Sequence, residues 1–302
     1  MLKEQAHIRD DCPLSVEITV EETVRAMEQL NSGRASDFSG MRSELLRWFS
    51  LYNSADVHQQ PFIVAWTNIM NGILMRGDPV PDEWRMQIVC PVFKRGSSGK
   101  PANPYDGNKY RPIVVCSRLL ACLDVVINNR LMEFCLQHNL ISDAQYGFIR
   151  GRSCEQAIAS LSLLREIRQM TGRSTSQRRT YCALIDMRRA FDTTWRALLS
   201  VRLYEKGITG AVWLYLQRSY LVDYIRTVLV PGVPMDSWYS DGLGCAQGVI
   251  LSPLMFDLEF NDALEAIERV RAPGAGVRLG NGRKIYGQLF ADDCLLFAET
   301  EQ

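Results

Sequence analysis

At 302 residues, with 47% hydrophobic and 23% charged positions, the chain can bury one large or two modest cores, and its aromatic content excludes a disordered segment. A formal net charge of +0 excludes attraction of the molecule as a whole to nucleic acid. No apolar run is long enough to span a bilayer, and the N-terminal "MLKEQAHIRDDC" lacks the apolar core of a signal peptide.

The first helix is predicted from Thr19-Val20-Glu21-Glu22, a capping box, with Val20, Val24, Met27 and Leu30 at helical spacing and an end near Asn31-Ser32-Gly33. The loop "SGRASDFSG" leads to a second helix, "MRSELLRWFSLY", and then to an apolar one, "PFIVAWTNIMNGIL". "DEWRMQIVCPVFKRG" reads as a strand, because Ile88, Val89 and Val92 are β-branched and turn signals bound them. After the loop "GSSGKPANPYDGNKY" comes "RPIVVCSRLLACLDVVINNRLMEFCLQH", a short strand running into a long helix. "DAQYGFIRGRSCEQAIASLSLLREIRQM" is a turn and a further helix. The polar, basic "TGRSTSQRRT" is the clearest break in composition, and it divides the chain into residues 1–180 and 181–302.

Beyond the break, "YCALIDM" reads as a buried strand and "RRAFDTTWRALLSVRLYEKG" as a helix ended by Gly207. A helix from about Gly210 to Leu221 and a strand pair around "RTVLVPGV" and "SWYSDGLG" follow. "SPLMFDLEFNDALEAIERV" is a long helix with Pro in its first turn, and the hairpin "KIYGQLFADDCLLFAE" closes the chain. The order predicts an α+β fold, an antiparallel sheet with helices on one face. Nine cysteines, an odd number with no C-x-x-C pair and mostly inside apolar runs, point to reduced, buried thiols in an intracellular compartment.

Two basic segments lie within the neutral total. Ile88 to Leu120 holds six basic residues against one acid, and Gly147 to Arg196 holds ten arginines against four acids. Such segments suit either solvated helix faces or a positive groove. Carboxylates supply the second signal. Asp292 and Asp293 sit together between apolar strands, where they are either a turn or, because like charges repel unless a cation separates them, a metal site. Asp186 ends "YCALIDM", as a helix N-cap or as a third ligand. If the two strands are neighbours, three carboxylates converge in a donor set suited to hard divalent cations.

Several stretches together resemble the reverse transcriptases of non-long-terminal-repeat (LINE-type) retrotransposons. "IDMRRAFDTTW" resembles the first palm motif, "GCAQGVILSPLMF" the Gln-Gly…Leu-Ser-Pro motif, and "FADD" stands where the family usually has Tyr-Ala-Asp-Asp. "YRPIVV" resembles a fingers motif, "ISDAQYGFIRGRSCEQAI" the segment before the first palm motif, and "AMEQLNSGRASDFSGMRSELL" the N-terminal extension of this branch. All occur in the family's order.

The resemblance implies a right-hand polymerase: an N-terminal extension and fingers over residues 1–180 and an antiparallel palm over 181–302. The implied activity is RNA-directed DNA synthesis with two Mg²⁺ ions, or Mn²⁺ in their place, on an RNA template, a DNA primer and deoxynucleoside triphosphates, in the nucleus and away from membranes. Asp186 and Asp292 are the implied metal ligands, with Asp293 a third and the carbonyl of Met187 a further one. Phe191 matches the bulky residue that excludes a 2′-hydroxyl, a role compatible with a core Phe on a first helix turn. Gln247 and Gly248 match the nucleotide-pocket motif, and Arg111 a fingers residue that reaches the triphosphate. Lys94 is either a phosphate contact or a solvated lysine. Phe290 replaces the usual Tyr, and the chain stops nine residues after Asp293, so the resemblance implies a palm without the thumb, a fragment or truncated product. Rival readings are a catalytically inactive, co-opted RNA-binding module and a group II intron-type maturase.

Overall fold

A computed structural model describes residues 12–51, 57–94, 103–172, 179–221, 224–229, 237–263, 266, 269, 275–279 and 283–299. Much of the predicted loop between Gly96 and Tyr110, and the centre of the basic break near residue 175, therefore lie outside the described residues.

In chain order the helices and strands begin with α1 (Val20–Gln29), α2 (Ser43–Leu51), α3 (Pro61–Asn71), α4 (Asp82–Arg85), β1 (Met86–Phe93), β2 (Tyr110–Val115), α5 (Arg118–Gln137) and α6 (Cys154–Thr171). They continue with β3 (Tyr181–Ile185), α7 (Ala190–Thr193), α8 (Arg196–Glu205), α9 (Gly210–Tyr215), β4 (Tyr224–Val228), β5 (Tyr239–Asp241) and α10 (Ser252–Phe260). The last are β6 (Val277–Arg278), β7 (Lys284–Ile285), β8 (Gly287–Phe290) and β9 (Asp293–Ala298).

The chain forms two units, one from Met1–Leu131 with Trp195–Ser252, the other from Met132–Thr194 with Pro253–Gln302. Neither is the contiguous stretch 1–180 or 181–302. The units follow strand pairings between distant parts of the chain.

In the first unit, α1 starts at the predicted capping box, with Thr19 accepting from the Glu22 amide and Glu22 accepting from the Thr19 amide. Its buried face meets α3, where Thr23 and Thr67 hydroxyls bond at 2.7 Å. Asn71 closes the contact by pairing with both the amide and the carbonyl of Ile18 at 2.7 and 2.9 Å. The sheet of this unit runs β2-β1-β4-β5. β1 pairs antiparallel with β2 but parallel with β4, so this sheet is mixed and departs from the antiparallel expectation. A strand returning after more than a hundred residues is not bound to a hairpin's direction. Buried Arg226 fixes that pairing by donating to the Gln87 side chain at 2.9 Å.

The second unit holds the antiparallel sheet β3-β9-β8. Residues of β9 at both parities are apolar, so both faces are covered rather than one. On one face Leu164 of α6 packs with Phe297 and Val277, and Ser160 accepts from Gln288 at 2.8 Å. On the other, Leu289 and Cys294 pack with Ala144 and with Phe260 of α10. Arg168 of α6 pairs with Glu299 at 3.3 Å. The predicted burial of β3 is overturned: Leu184 is 75% exposed and Ile185 44%. β3 is the edge of its sheet, hydrogen-bonded on one side, so an apolar sequence did not guarantee a covering layer.

All nine cysteines stand outside any disulfide, and six of them are buried. No helix among the described residues is long and apolar enough to cross a membrane.

Candidate catalytic site

The antiparallel pairing of β3 with β9 matches Ile185 with Cys294. Asp186, the next residue, therefore stands at the register position opposite Asp293. β8 and β9 pair from Phe290 with Asp293, which leaves Ala291 and Asp292 as the two turn residues. The turn reading of the aspartate pair is thus true of the backbone. Asp292 lies in the hairpin turn and Asp293 opens β9, and that turn lies beside the end of the Asp186 strand.

Asp186 and Asp293 are exposed and Asp292 is half-buried. Burial raises the Asp292 carboxyl above the ordinary carboxylate range, and the charges of Asp293 and Asp186 push it in the same direction. Asp292 therefore feels the charge of both neighbouring carboxylates. Among the described residues, no group of three or more His, Cys, Asp and Glu is gathered tightly enough to hold a metal ion, so the carboxylates neighbour one another without forming a closed cage. Their chemistry still fits magnesium: hard oxygen donors, partly desolvated, whose mutual repulsion a divalent cation would relieve.

Phe191 lies in α7 of the same unit, half-buried. Its ring stacks on Phe256 of α10 at 4.4 Å and 20°, and the Phe148 ring meets it edge-on at 6.2 Å. Phe191 is thus a core-facing aromatic that also meets Phe148, the residue after the Gly147 that abuts Ala291. Met187, half-buried, directly follows Asp186 in sequence.

Arg111, Lys94, Gln247 and Gly248 belong to the other unit. Arg111 is an exposed residue of β2 paired with Val92. Lys94 follows β1, and its ammonium donates to the Asn108 carbonyl at 3.3 Å. Gln247 accepts from the Val114 amide through its carbonyl at 2.7 Å. Gly248 has φ +104, and a Cβ there would stand 2.6 Å from the Val114 carbonyl oxygen. A glycine is therefore required both by the backbone and by the approach of β2. These four residues surround the β1–β2 hairpin.

The basic segment between Gly147 and Arg196 is partly structural. Arg152 donates to the carbonyls of Ser142 and Gln145, Arg168 to that of Arg179, and Arg196 to those of Leu243 and Gly244. Arg188 and Arg179 are exposed, while Arg173 and Arg178 lie outside the described residues.

Sequence reasoning missed two residues. Gln145, 1% exposed, accepts from the Ala291 amide at 2.9 Å and donates to the Ala291 carbonyl at 3.3 Å. Its only signal was a polar residue inside "DAQYGF", a stretch noted as a motif and not as a contact. Asp257 is 0% exposed with neither carboxylate oxygen hydrogen-bonded. In sequence it looks like an ordinary helix aspartate.

Comparison with known proteins bears on the same residues. The reverse transcriptase (RNA-dependent DNA polymerase) family matches residues 100–302, which include every candidate site residue except Lys94. The chain is 26% identical over 239 residues to the probable RNA-directed DNA polymerase from transposon BS of Drosophila melanogaster, covering 77% of this chain and 23% of that protein. It is 26% identical over 199 residues to the Pol polyprotein from the type-1 retrotransposable element R2 of Nasonia vitripennis, covering 64% of this chain and 17% of that protein. It is 27% identical over 240 residues to the Pol polyprotein of the type-2 element R2DM of Drosophila melanogaster, covering 77% and 20% respectively. The chain thus spans about a fifth of the length of these relatives. With residues 100–302, more than half of its length, inside the matched region, the chain belongs to the reverse transcriptase family.

Proposed function

We propose that the chain carries the catalytic centre of an RNA-directed DNA polymerase, which adds deoxynucleotides to a primer 3′-hydroxyl on an RNA template. The observation that supports this reading is Asp186 brought in register beside the Asp292–Asp293 turn, with Asp292 raised by burial and by both neighbouring charges. Divalent magnesium bound there would supply Lewis-acid activation of the hydroxyl and charge neutralisation at the triphosphate. Asp186 and Asp292 would hold it, with Asp293 and the Met187 carbonyl as further donors. In the reaction the primer oxygen bonds to the α-phosphorus, the bond from that phosphorus to the bridging oxygen breaks, pyrophosphate leaves, and the hydroxyl proton passes to solvent.

The Phe191 ring, backed by Phe256, would close the space a 2′-hydroxyl needs. For Arg111, Lys94 and Gln247-Gly248, all of the first unit, the nucleotide-binding roles rest on the family resemblance alone: a fixed planar cation, a further positive charge and a close backbone approach.

The test is primer extension on an RNA template with Mg²⁺, comparing the chain with Asp292→Asn. Extension by the wild-type chain and none by the variant is expected. The variant should melt no lower than wild type, because it removes one charge from a repelling trio. Equal extension by both proteins would refute the site.

A further inference from the structure

The β8–β9 hairpin turns through Ala291 and Asp292 alone. Turns this tight favour Gly, Asn or Asp at left-handed positions, yet Ala291 has φ +56. An alanine stays there only if its surroundings over-determine it.

The surroundings come from the segment Ala144–Phe148, 146 residues away in sequence by the Gln145–Ala291 bond. Its backbone runs beside β8: the Leu289 amide donates to the Ala144 carbonyl and the Tyr146 amide to the Leu289 carbonyl, both at 2.8 Å. Gly147 lies so close to the turn that a Cβ would stand 2.3 Å from the Ala291 nitrogen. Between these contacts sits the Gln145 amide. Its oxygen accepts from the amides of Ala291 and Gly147, each at 2.9 Å, and its nitrogen donates to the Ala291 carbonyl at 3.3 Å. Both backbone groups of the left-handed residue are thus taken by one buried side chain. Arg152 secures the segment by donating to the carbonyls of Ser142 and Gln145 at 2.6 and 2.7 Å. One residue beyond Gly147, Phe148 meets the ring of Phe191.

We propose that Gln145 is a positioning residue for the carboxylate turn: its side-chain amide holds Ala291 in the left-handed conformation and so fixes the direction in which Asp292 and Asp293 stand. The inference deepens the polymerase reading and rests on it for its catalytic consequence, but the clamp itself is a property of the hairpin.

The experiment uses the full chain and three variants. Gln145→Met keeps length and bulk while removing all three hydrogen bonds; Gln145→Glu keeps the two accepted ones. Gln145→Met combined with Ala291→Gly gives the turn a residue for which the left-handed region carries no penalty. Three quantities are read: hydrogen exchange at the amides of residues 289–293 without metal, Mn²⁺ affinity by titration calorimetry, and kcat and KM for primer extension.

Gln145→Met should exchange the Ala291 amide faster and bind Mn²⁺ about ten- to a hundredfold more weakly, the range usual for residues that orient metal ligands. It should lower kcat with little change in KM for the nucleotide. Gln145→Glu should lose less, and Ala291→Gly should restore most of the Mn²⁺ affinity lost in the Met background. A folded Gln145→Met chain with wild-type Mn²⁺ affinity and wild-type exchange at Ala291 would overturn the proposal. So would a loss that Ala291→Gly leaves untouched, since the role would then be general packing. If Gln145→Met does not fold, faster exchange confined to residues 289–293 in Gln145→Glu would support the clamp, and exchange accelerated equally across the whole chain would overturn it. If wild-type protein extends no primer while exchange and Mn²⁺ binding change as expected, the polymerase reading fails and the clamp stands.

Discussion

Asp257 offers the sharpest quantitative test of the second unit's interior. It lies in α10 with 0% exposure and no hydrogen bond to either carboxylate oxygen. Burial pushes its carboxyl from 3.8 up to about 8, against a smaller opposing effect from the charge of Arg152. The folded chain therefore keeps this proton at pH values where the unfolded chain has released it. By linkage, the stability tied to the proton is complete below about pH 4, falls as pH rises, and is lost above about pH 8. The slope is ~1.4 kcal/mol per pH unit, so about 4 kcal/mol has gone by pH 7, a large share of the 5–15 kcal/mol that holds a typical domain together. Asp257→Asn preserves the shape and does not titrate. Urea midpoints measured by circular dichroism between about pH 5 and about pH 8 should fall more steeply for wild type than for the variant, the two differing most at the alkaline end. Every other titrating group is common to both chains and cancels in the difference. Parallel profiles would show that Asp257 ionises freely in the folded chain, and the assignment of a neutral buried carboxyl would be wrong.

Two further substitutions test the site residues of each unit. Gly248→Ala forces an alanine to φ +104 and drives a Cβ toward the Val114 carbonyl, so urea unfolding should register a loss of about 2 kcal/mol or more and primer extension should fall with it. Phe191→Ala removes the ring stacked on Phe256, which should cost about 3 kcal/mol of stability and lower discrimination against ribonucleotides by about tenfold or more, measured as the ratio of kcat/KM for matched deoxy- and ribonucleotides.

Features coded by adjacent residues were legible in the sequence. The Thr19–Glu22 capping box, the β1 strand and the closing hairpin each follow from a few neighbours, although Asp82–Arg85 of the predicted strand form α4 and the hairpin pairs only from Gly287 onward. Asp186 and the Asp292–Asp293 pair could be nominated because a charge ending an apolar run is locally anomalous. What failed depended on partners elsewhere in the chain. The burial of β3 was inferred from its apolar letters, but an edge strand is covered only if another layer reaches it. The parallel pairing of β1 with β4 has no local code. Gln145 illustrates the limit most clearly. A glutamine before Tyr-Gly-Phe is unremarkable until the chain folds and sets its amide against a turn 146 residues downstream.

Backbone strain in the described residues is concentrated where that turn lies. Four residues other than glycine have positive φ: Asn139, Phe148, Arg189 and Ala291. Asn139 follows the end of α5, where asparagine tolerates the conformation well. The other three flank the proposed chemistry: Ala291 precedes Asp292, Arg189 precedes Phe191 by two residues, and Phe148 touches the Phe191 ring. Each has a visible restraint. Ala291 is held by Gln145, and the Arg189 carbonyl accepts from the Asp192 and Thr193 amides at 3.0 and 3.1 Å. Phe148 directly follows Gly147, whose amide donates to Gln145. A glycine at any of these positions would reach the same angles freely, but it would reach many others as well. A residue that resists the conformation, pinned by hydrogen bonds on both sides, has few alternatives nearby. On the proposed function, carboxylates sharing a cation and a ring rejecting one extra oxygen atom would both require fixed positions, and strain held this way would supply them.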